Sequence, residues 1–315
     1  MWLSDETVGR LQQIGTEPDL AGTKYRPVRE LARGGMGTVW IAHDEELDRE
    51  VALKVLRPEL STPEAAARMV REAKIVAALE HPGIIPVHDV GSLRDGRVFY
   101  AMKLVRGTTL EQFRESGPTR AEALRAFVRI CEAVAFAHAH GVVHRDLKPG
   151  NVMVGPFGEV LVVDWGVAKL LRDAPQTISP SPPHDEHQTR DGTVVGTPGY
   201  MAPEQERGEI SLVDERSDVF ALGAILRFLL GEAPAPPPLA SILGRAMHAQ
   251  PESRYPGAST LADDVVRFLD GLPVSAHRES HLERLARWAT RHRTLLSLIA
   301  AYLMARFLVF LWIDR

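Results

Sequence analysis

His144-Arg145-Asp146-Leu147-Lys148-Pro149-Gly150-Asn151, then an apolar run, then Asp164-Trp165-Gly166: this stretch decides how the chain reads. Asp146, Lys148, Asn151 and Asp164 stand close together along the sequence. The segments between them, Val152-Met153-Val154 and Val160-Leu161-Val162-Val163, are short apolar runs with the pattern of buried strands. Gly155-Pro156-Phe157-Gly158 is the turn that joins them. Such a hairpin holds Asn151 at one mouth and Asp164 at the other. Two oxygen ligands held together suit a hard cation such as Mg²⁺, which completes its shell with water and phosphate oxygens. Asp146 then stands nearby as a carboxylate able to take a proton.

Upstream, the pattern alternates from Tyr25 onward. Pro27–Leu31, Thr38–Ala42 and Val51–Leu56 read as strands. Between the first two lies Ala32-Arg33-Gly34-Gly35-Met36-Gly37, a hairpin tip whose glycines let backbone N–H groups approach an anion. Lys54 is a single charge in an otherwise apolar strand, and a buried ammonium needs a partner. Pro63 to Leu79 has helical spacing, with Pro63 at an early helical position and Glu72 inside. Ile85–Val90 and Arg97–Leu104 read as two further strands. Downstream of Leu110 helices take over, led by Arg120–His140, which Gly141 terminates. Strands before about residue 105 and helices after it predict an α+β protein of two lobes.

The chain has 315 residues, 45% apolar and 25% charged, enough for one large domain or two modest ones. A net charge of −4 gives no global basic field, so nucleic acid is not an expected partner. The single cysteine, Cys131, excludes an internal disulfide framework, and its apolar helical setting predicts a buried thiol. Residues 1–24 are a polar lead-in, and no secretory signal peptide is expected there.

The ordered motifs L-A-R-G-G-M-G-T-V, V-A-L-K, R-E-A-K, H-R-D-L-K-P-G-N, D-W-G, G-T-P-G-Y-M-A-P-E and D-E-R-S-D-V-F-A-L-G resemble those of bacterial eukaryotic-type (Hanks-type) serine/threonine protein kinases. The phrase G-E-V-L-V-V-D-W-G-V-A-K is similar to kinases of planctomycetes and myxobacteria. The resemblance implies a two-lobed kinase-like fold. A small antiparallel sheet with one main helix would form the N-lobe, residues 25–105. A larger helical C-lobe would span 106–270. It implies ATP as phosphoryl donor, Mg²⁺ as cofactor with Mn²⁺ able to replace it, and Ser/Thr hydroxyls of proteins as acceptors.

Residue by residue, Ala32, Gly34, Gly35 and Gly37 would cover the ATP phosphates. Lys54 would touch the α- and β-phosphates and pair with Glu72. Val39, Ala52 and Met153 would sandwich adenine, Met102 would be the gatekeeper, and Lys103-Leu104-Val105 would be the hinge. Asp146 would orient the acceptor hydroxyl and take its proton, Lys148 would steady the moving phosphoryl group, and Asn151 and Asp164 would hold the metal. Thr177, Ser179, Ser181, Thr189 and above all Thr193 are the expected autophosphorylation sites, with Arg145 the receiver of the phosphate. The acidic-histidine run His184–His187 reads as a solvated loop. Thr197 would bond Asp146 and Lys148, Glu204 would pair with Arg254, and Asp218 would brace the catalytic loop.

Four features depart from the family pattern. Ala32 replaces the first glycine of the loop, Trp165 replaces a phenylalanine, and Lys103 stands where the hinge often has an acid. After Leu230 the sequence passes through a Pro-rich stretch straight into Leu239–Ala249, so a helix that helps dock substrates is missing or reduced.

Residues 271–293 form a basic linker with Arg284, Arg287, Arg291 and Arg293. Residues 294–313 are almost wholly apolar, interrupted by Arg306, and about 20 apolar residues span a bilayer. The expectation is a single-pass anchor in the cell inner membrane with the kinase portion cytoplasmic; a cytoplasmic protein is the alternative. A homodimer that phosphorylates itself in trans is a further expectation.

Overall fold

The computed structural model describes residues 17–35, 37–165, 169–170, 199–232, 234–281, 284–285, 288 and 292–313. Five antiparallel strands build the first lobe: β1 (Tyr25–Arg33), β2 (Gly37–Asp44), β3 (Arg49–Leu56), β4 (Val87–Ser92) and β5 (Val98–Lys103), in the order β1-β2-β3-β5-β4. β3 is central, so its residues from Val51 to Leu56 are buried, and Lys54 is no edge lysine. One helix, α1 (Pro63–Ala77), crosses the sheet. Thr62 caps its start by accepting from the Ala65 amide, which satisfies one of the orphan donors of the first turn. Its buried face carries Met69, Glu72, Ala73, Ile75 and Val76.

The second lobe is mostly helical. It contains β6 (Thr108–Thr109), α2 (Leu110–Glu115), α3 (Arg120–Ala139), β7 (Val142–Val143), β8 (Val152–Val154), β9 (Val160–Val162), β10 (Lys169–Leu170), α4 (Pro203–Glu206), α5 (Glu215–Leu230), α6 (Pro237–Ala246) and α7 (Ala258–Leu269). A capping box between Thr119 and Glu122 starts α3, and Gly141 at φ +75° follows its end. Phe127, Ile130, Cys131 and Val134 of α3 are fully buried against Leu222, Ile225 and Leu226 of α5 and Leu261 and Val265 of α7. Burial pushes the Cys131 thiol well up, which suits a packing residue rather than a nucleophile.

The strand expected at Ile85–Val90 is split between two partners. Pro86 has no N–H to give a ladder. Ile84 forms a parallel bridge with Val162, and the Ile85 amide donates to Val162 O at 3.3 Å. The sheet of the first lobe resumes only at Val87. These residues therefore stitch the first lobe to the β8–β9 hairpin of the second. α1 ends at Ala77 rather than Leu79, and α6 covers Pro237–Ala246 rather than Leu239–Ala249. Among the described residues no helix lies between Leu230 and Pro237.

The folded body continues past Leu269. Val274 is buried in the main core, and the carboxylate of Asp264 accepts from the amides of Ser275 and Ala276 at 2.7 and 3.1 Å. α8 (Arg293–Ile313) has 21 residues. Among the described residues no helix is long and apolar enough to cross a membrane. The side chains of 307–311 in α8 stand outside the described set.

Candidate active site

β3 carries Lys54 opposite Val39 of β2 and Tyr100 of β5. Its ammonium reaches Glu72 of α1 at 2.8 Å and Asp164 at 2.9 Å. Burial alone would depress this ammonium, but Tyr100, Glu72 and Asp164 outweigh it and hold Lys54 above its ordinary value. The Tyr100 hydroxyl donates to the same Glu72 oxygen at 2.8 Å, while Glu72 Oε2 is buried with no partner among the described residues. Nothing in the sequence singled out Tyr100; the only signal was one hydroxyl within an apolar strand.

The floor of the cleft is the turn after β7. Asp146 receives Lys148 Nζ at 2.8 Å. The Asn151 amide donates to Asp146 O at 2.8 Å and to its Oδ2 at 3.3 Å. β8 and β9 pair in register, Val152 with Val162 and Val154 with Val160. The Val163 amide then bonds Asn151 O at 2.9 Å, which fixes Asn151 beside the segment that leads into Asp164. The hairpin read from the sequence thus brings Asp146, Lys148, Asn151 and Asp164 together. Asp164 has φ +59°, a conformation few non-glycine residues adopt, and half its side chain is exposed. Burial opposes its ionisation, but Lys54 holds its pKa below the usual carboxylate range.

A second layer braces this floor. Asp218 of α5, 1% exposed, accepts from the amides of His144 and Arg145 at 2.8 and 2.9 Å and contacts His138 Nε2 at 2.9 Å. Arg145, at φ +71°, is further held by Gln205, whose amide donates to Arg145 O at 2.9 Å. His144 stacks on Trp165 with centroids 4.6 Å apart, and the buried indole donates to Val162 O at 3.4 Å. Trp165 therefore occupies the expected phenylalanine position without exposing its N–H. Glu204 and Arg254 pair as expected, at 2.7 and 2.8 Å. His138 and Gln205 were not singled out in the sequence, because each acts on backbone or on a carboxylate far along the chain.

At the mouth, the Gly34 amide bonds Gly37 O at 2.9 Å. A Cβ on Gly37 would meet Val55 O at 2.8 Å, so that position admits only glycine without backbone movement. Gly35 faces open space. Ala32 sits in β1 opposite Val39 and does not need positive φ, so alanine is tolerated. Ala52 lies beside Met102. Val39 and Met153 are half-buried and join no core cluster among the described residues. Val105 is half-buried against the main core, and Lys103 is exposed, its amide bonded to Pro86 O at 3.1 Å. Met36, Thr177, Ser179, Ser181, His184–His187, Thr189, Thr193 and Thr197 lie outside the described residues.

The protein kinase domain family matches residues 25–278. The chain belongs to the protein kinase family. This kinase is similar to serine/threonine-protein kinase PknD of Chlamydia felis, 34% identical over 323 residues that cover 87% of the chain and 34% of that protein. It is also similar to serine/threonine-protein kinase PknB of Mycolicibacterium smegmatis, 33% identical over 290 residues that cover 81% of the chain and 44% of that protein. The kinase spans less than half the length of these curated relatives. Among solved structures it resembles the PknI kinase domain of Mycobacterium tuberculosis, with a TM-score of 0.59 and 27% identity, covering 80% of this chain and 98% of that one.

Proposed function

We propose that this kinase transfers the γ-phosphoryl group of ATP to serine or threonine hydroxyls of proteins in bacterial signalling. The observation that carries the reading is the bridge of Lys54 to both Glu72 and Asp164. It joins β3, α1 and the segment after β9 at one point facing the Asp146–Asn151 turn. Phosphoryl transfer asks mainly for positioning and for neutralisation of charge on oxygen, and the bridge supports both. Asp146 orients the acceptor hydroxyl and takes its proton as the oxygen bonds phosphorus and ADP departs. Lys148 steadies the transferring group, and Lys54 holds the α- and β-phosphates. The glycine hairpin Ala32–Gly37 covers the phosphates; Val39, Ala52, Met102 and Met153 enclose adenine above the hinge Lys103–Val105.

The donor set also fits a divalent cation. Asn151 turns its N–H groups to Asp146, leaving its carbonyl oxygen, and Asp164 commits one oxygen to Lys54, leaving the other. Two hard oxygens suit Mg²⁺, which takes its remaining ligands from water and phosphate; Mn²⁺ accepts the same set. Bound there, the cation neutralises phosphate charge. Among the described residues no group of three His, Cys, Asp or Glu could hold a metal by itself, in keeping with a cation that arrives with the nucleotide.

We further read residues 25–105 and 106–270 as the two lobes, with 271–278 packed onto the second, the basic linker as the remainder of the stretch up to 293, and 294–313 as a membrane anchor of the inner membrane, with the subgroup that of planctomycetes and myxobacteria. The anchor rests on the apolar sequence Leu295–Ile313 and the continuous 21-residue helix α8. At about 1.5 Å per residue that helix is about 31 Å long, near the bilayer core thickness. Carbonate extraction tests it: retention in the pellet is expected, and release contradicts the anchor. Mass spectrometry of the full chain after incubation with Mg-ATP tests the activity. Phosphate on Ser or Thr, first at Thr193, is expected; an unmodified chain that also fails to label any protein substrate contradicts it.

A further inference from the structure

Beside the Asp146–Asn151 turn stands a carboxylate that the proposed chemistry does not use. Glu111 is the second residue of α2, and it is half-buried. Its Oε1 lies 3.3 Å from where a Cβ on Gly150 would stand. Gly150 lies between Lys148 and Asn151, so Glu111 leans over the same turn that carries Asp146. A Cβ at position 150 would make a tight contact with it. On the far side is Tyr200, three residues before the start of α4. Burial first, and then the charge of Glu111, raise the Tyr200 phenol, so the carboxylate's field also reaches the segment that leads into α4. Glu111 therefore borders the space between the catalytic turn and that segment. A polypeptide offering a hydroxyl to Asp146 has to pass there.

Among the described residues Glu111 has no ion pair and no side-chain hydrogen bond. The two arginines whose charge reaches Tyr200, Arg114 and Arg227, do not form a salt bridge with it, and Arg114 is stacked on Phe228 at 4.7 Å. A glutamate in the first turn gains from the helix dipole wherever its carboxylate points. That gain does not call for a carboxylate laid over Gly150. The Glu111 carboxylate therefore remains available, among the described residues, to a cation brought by the substrate.

We propose that Glu111 is a specificity-determining residue that reads a lysine or arginine close in sequence to the phosphorylated Ser or Thr. The inference rests on the protein-kinase reading above. The chain itself carries a matching acceptor, since Arg190 precedes Thr193 by three residues. Charge-assisted hydrogen bonds from a guanidinium to a carboxylate are among the stronger polar contacts, and a site built for one discriminates against the uncharged analogue.

The test uses the full-length chain, Mg-ATP and a set of peptides with one threonine. Each peptide carries arginine or glutamine at one of the four positions on either side of that threonine. At one position the wild type is expected to favour arginine by about tenfold in kcat/KM. In Glu111→Gln the ratio should fall to about one, and Glu111→Lys should reverse it in favour of a glutamate peptide. A merely structural role for Glu111 would not reverse a charge preference. Equal use of arginine and glutamine peptides by the wild type overturns the proposal. So does a preference that survives Glu111→Gln. Failure to label any peptide, or the chain itself, contradicts the kinase reading on which the proposal rests.

Discussion

The cleft and the helical lobe each hold a buried ion pair, and the two are completed differently. In the helical lobe Glu204 and Arg254 have fully buried side chains. Arg254 donates twice to Glu204 and also to the carbonyls of Arg216, His248 and Ala249, while Ser217 fills a further lone pair of Glu204. In the cleft one ammonium is shared between two carboxylates. Glu72 keeps a buried oxygen without a partner among the described residues, and Asp164 is half exposed in a left-handed conformation. Similar residue types give opposite outcomes. A saturated pair fixes structure, whereas an unsaturated one keeps lone pairs and strain available for a nucleotide and its cation.

That contrast can be broken from either side. The largest effect is expected in the cleft. Asp164→Asn should lower autophosphorylation by about a thousandfold or more, with the melting temperature shifted by only a few degrees because the side chain is half exposed. Radiometric labelling and thermal denaturation read the two quantities. In the helical lobe the order reverses. Arg254→Ala strands a buried carboxylate and should destabilise the fold by about 3–5 kcal/mol, measured by urea denaturation, although Arg254 touches no group in the cleft.

Acid should act on the saturated centres as well as on Asp164. Burial opposes ionisation of Asp218, Glu204 and Asp264. Even so, His138 at Asp218, Arg254 at Glu204, and the Ser275 amide at Asp264 hold all three below their ordinary values. A depressed carboxylate pKa adds stability that is fully present above the unfolded value of about 4 and is lost as pH falls through the folded one. The melting temperature should therefore stay nearly flat between about pH 5 and 7 and fall below about pH 4. A fall that begins near neutrality contradicts the assignment. The smallest effect belongs to the glycine hairpin. Ala32 is an ordinary strand residue, so Ala32→Gly should change the KM for ATP by less than about threefold, whereas Gly37→Ala, blocked by Val55 O, should weaken ATP binding more.

Local patterning and motif spacing were enough to place the lobes and most of the cleft. Lys54 stood out as a charge in an apolar strand, and the apolar runs on either side of Gly155–Gly158 gave the hairpin that juxtaposes Asn151 and Asp164. Less legible were contacts set by long-range packing. Tyr100 reaches Glu72 across 28 residues and His138 reaches Asp218 across 80, and no local pattern encodes either. An apolar run carries no mark of which sheet it joins, so the strand expected at Ile85–Val90 is divided between two partners; Pro86 is the sign that one ladder cannot continue through it. Glu111 reads as any first-turn glutamate, and its place beside Gly150 of the catalytic turn is set by packing that no local pattern encodes.

The unsaturated centre performs the proposed chemistry while the saturated one holds the fold. The direct measurement is transfer of labelled γ-phosphate from Mg-ATP to the full chain, for the wild type and for Asp146→Asn, with circular dichroism on both. Labelled Ser or Thr is expected in the wild type and none in Asp146→Asn, with matching spectra. Equal labelling of the two, or a wild type that takes up no phosphate while folded, would contradict it.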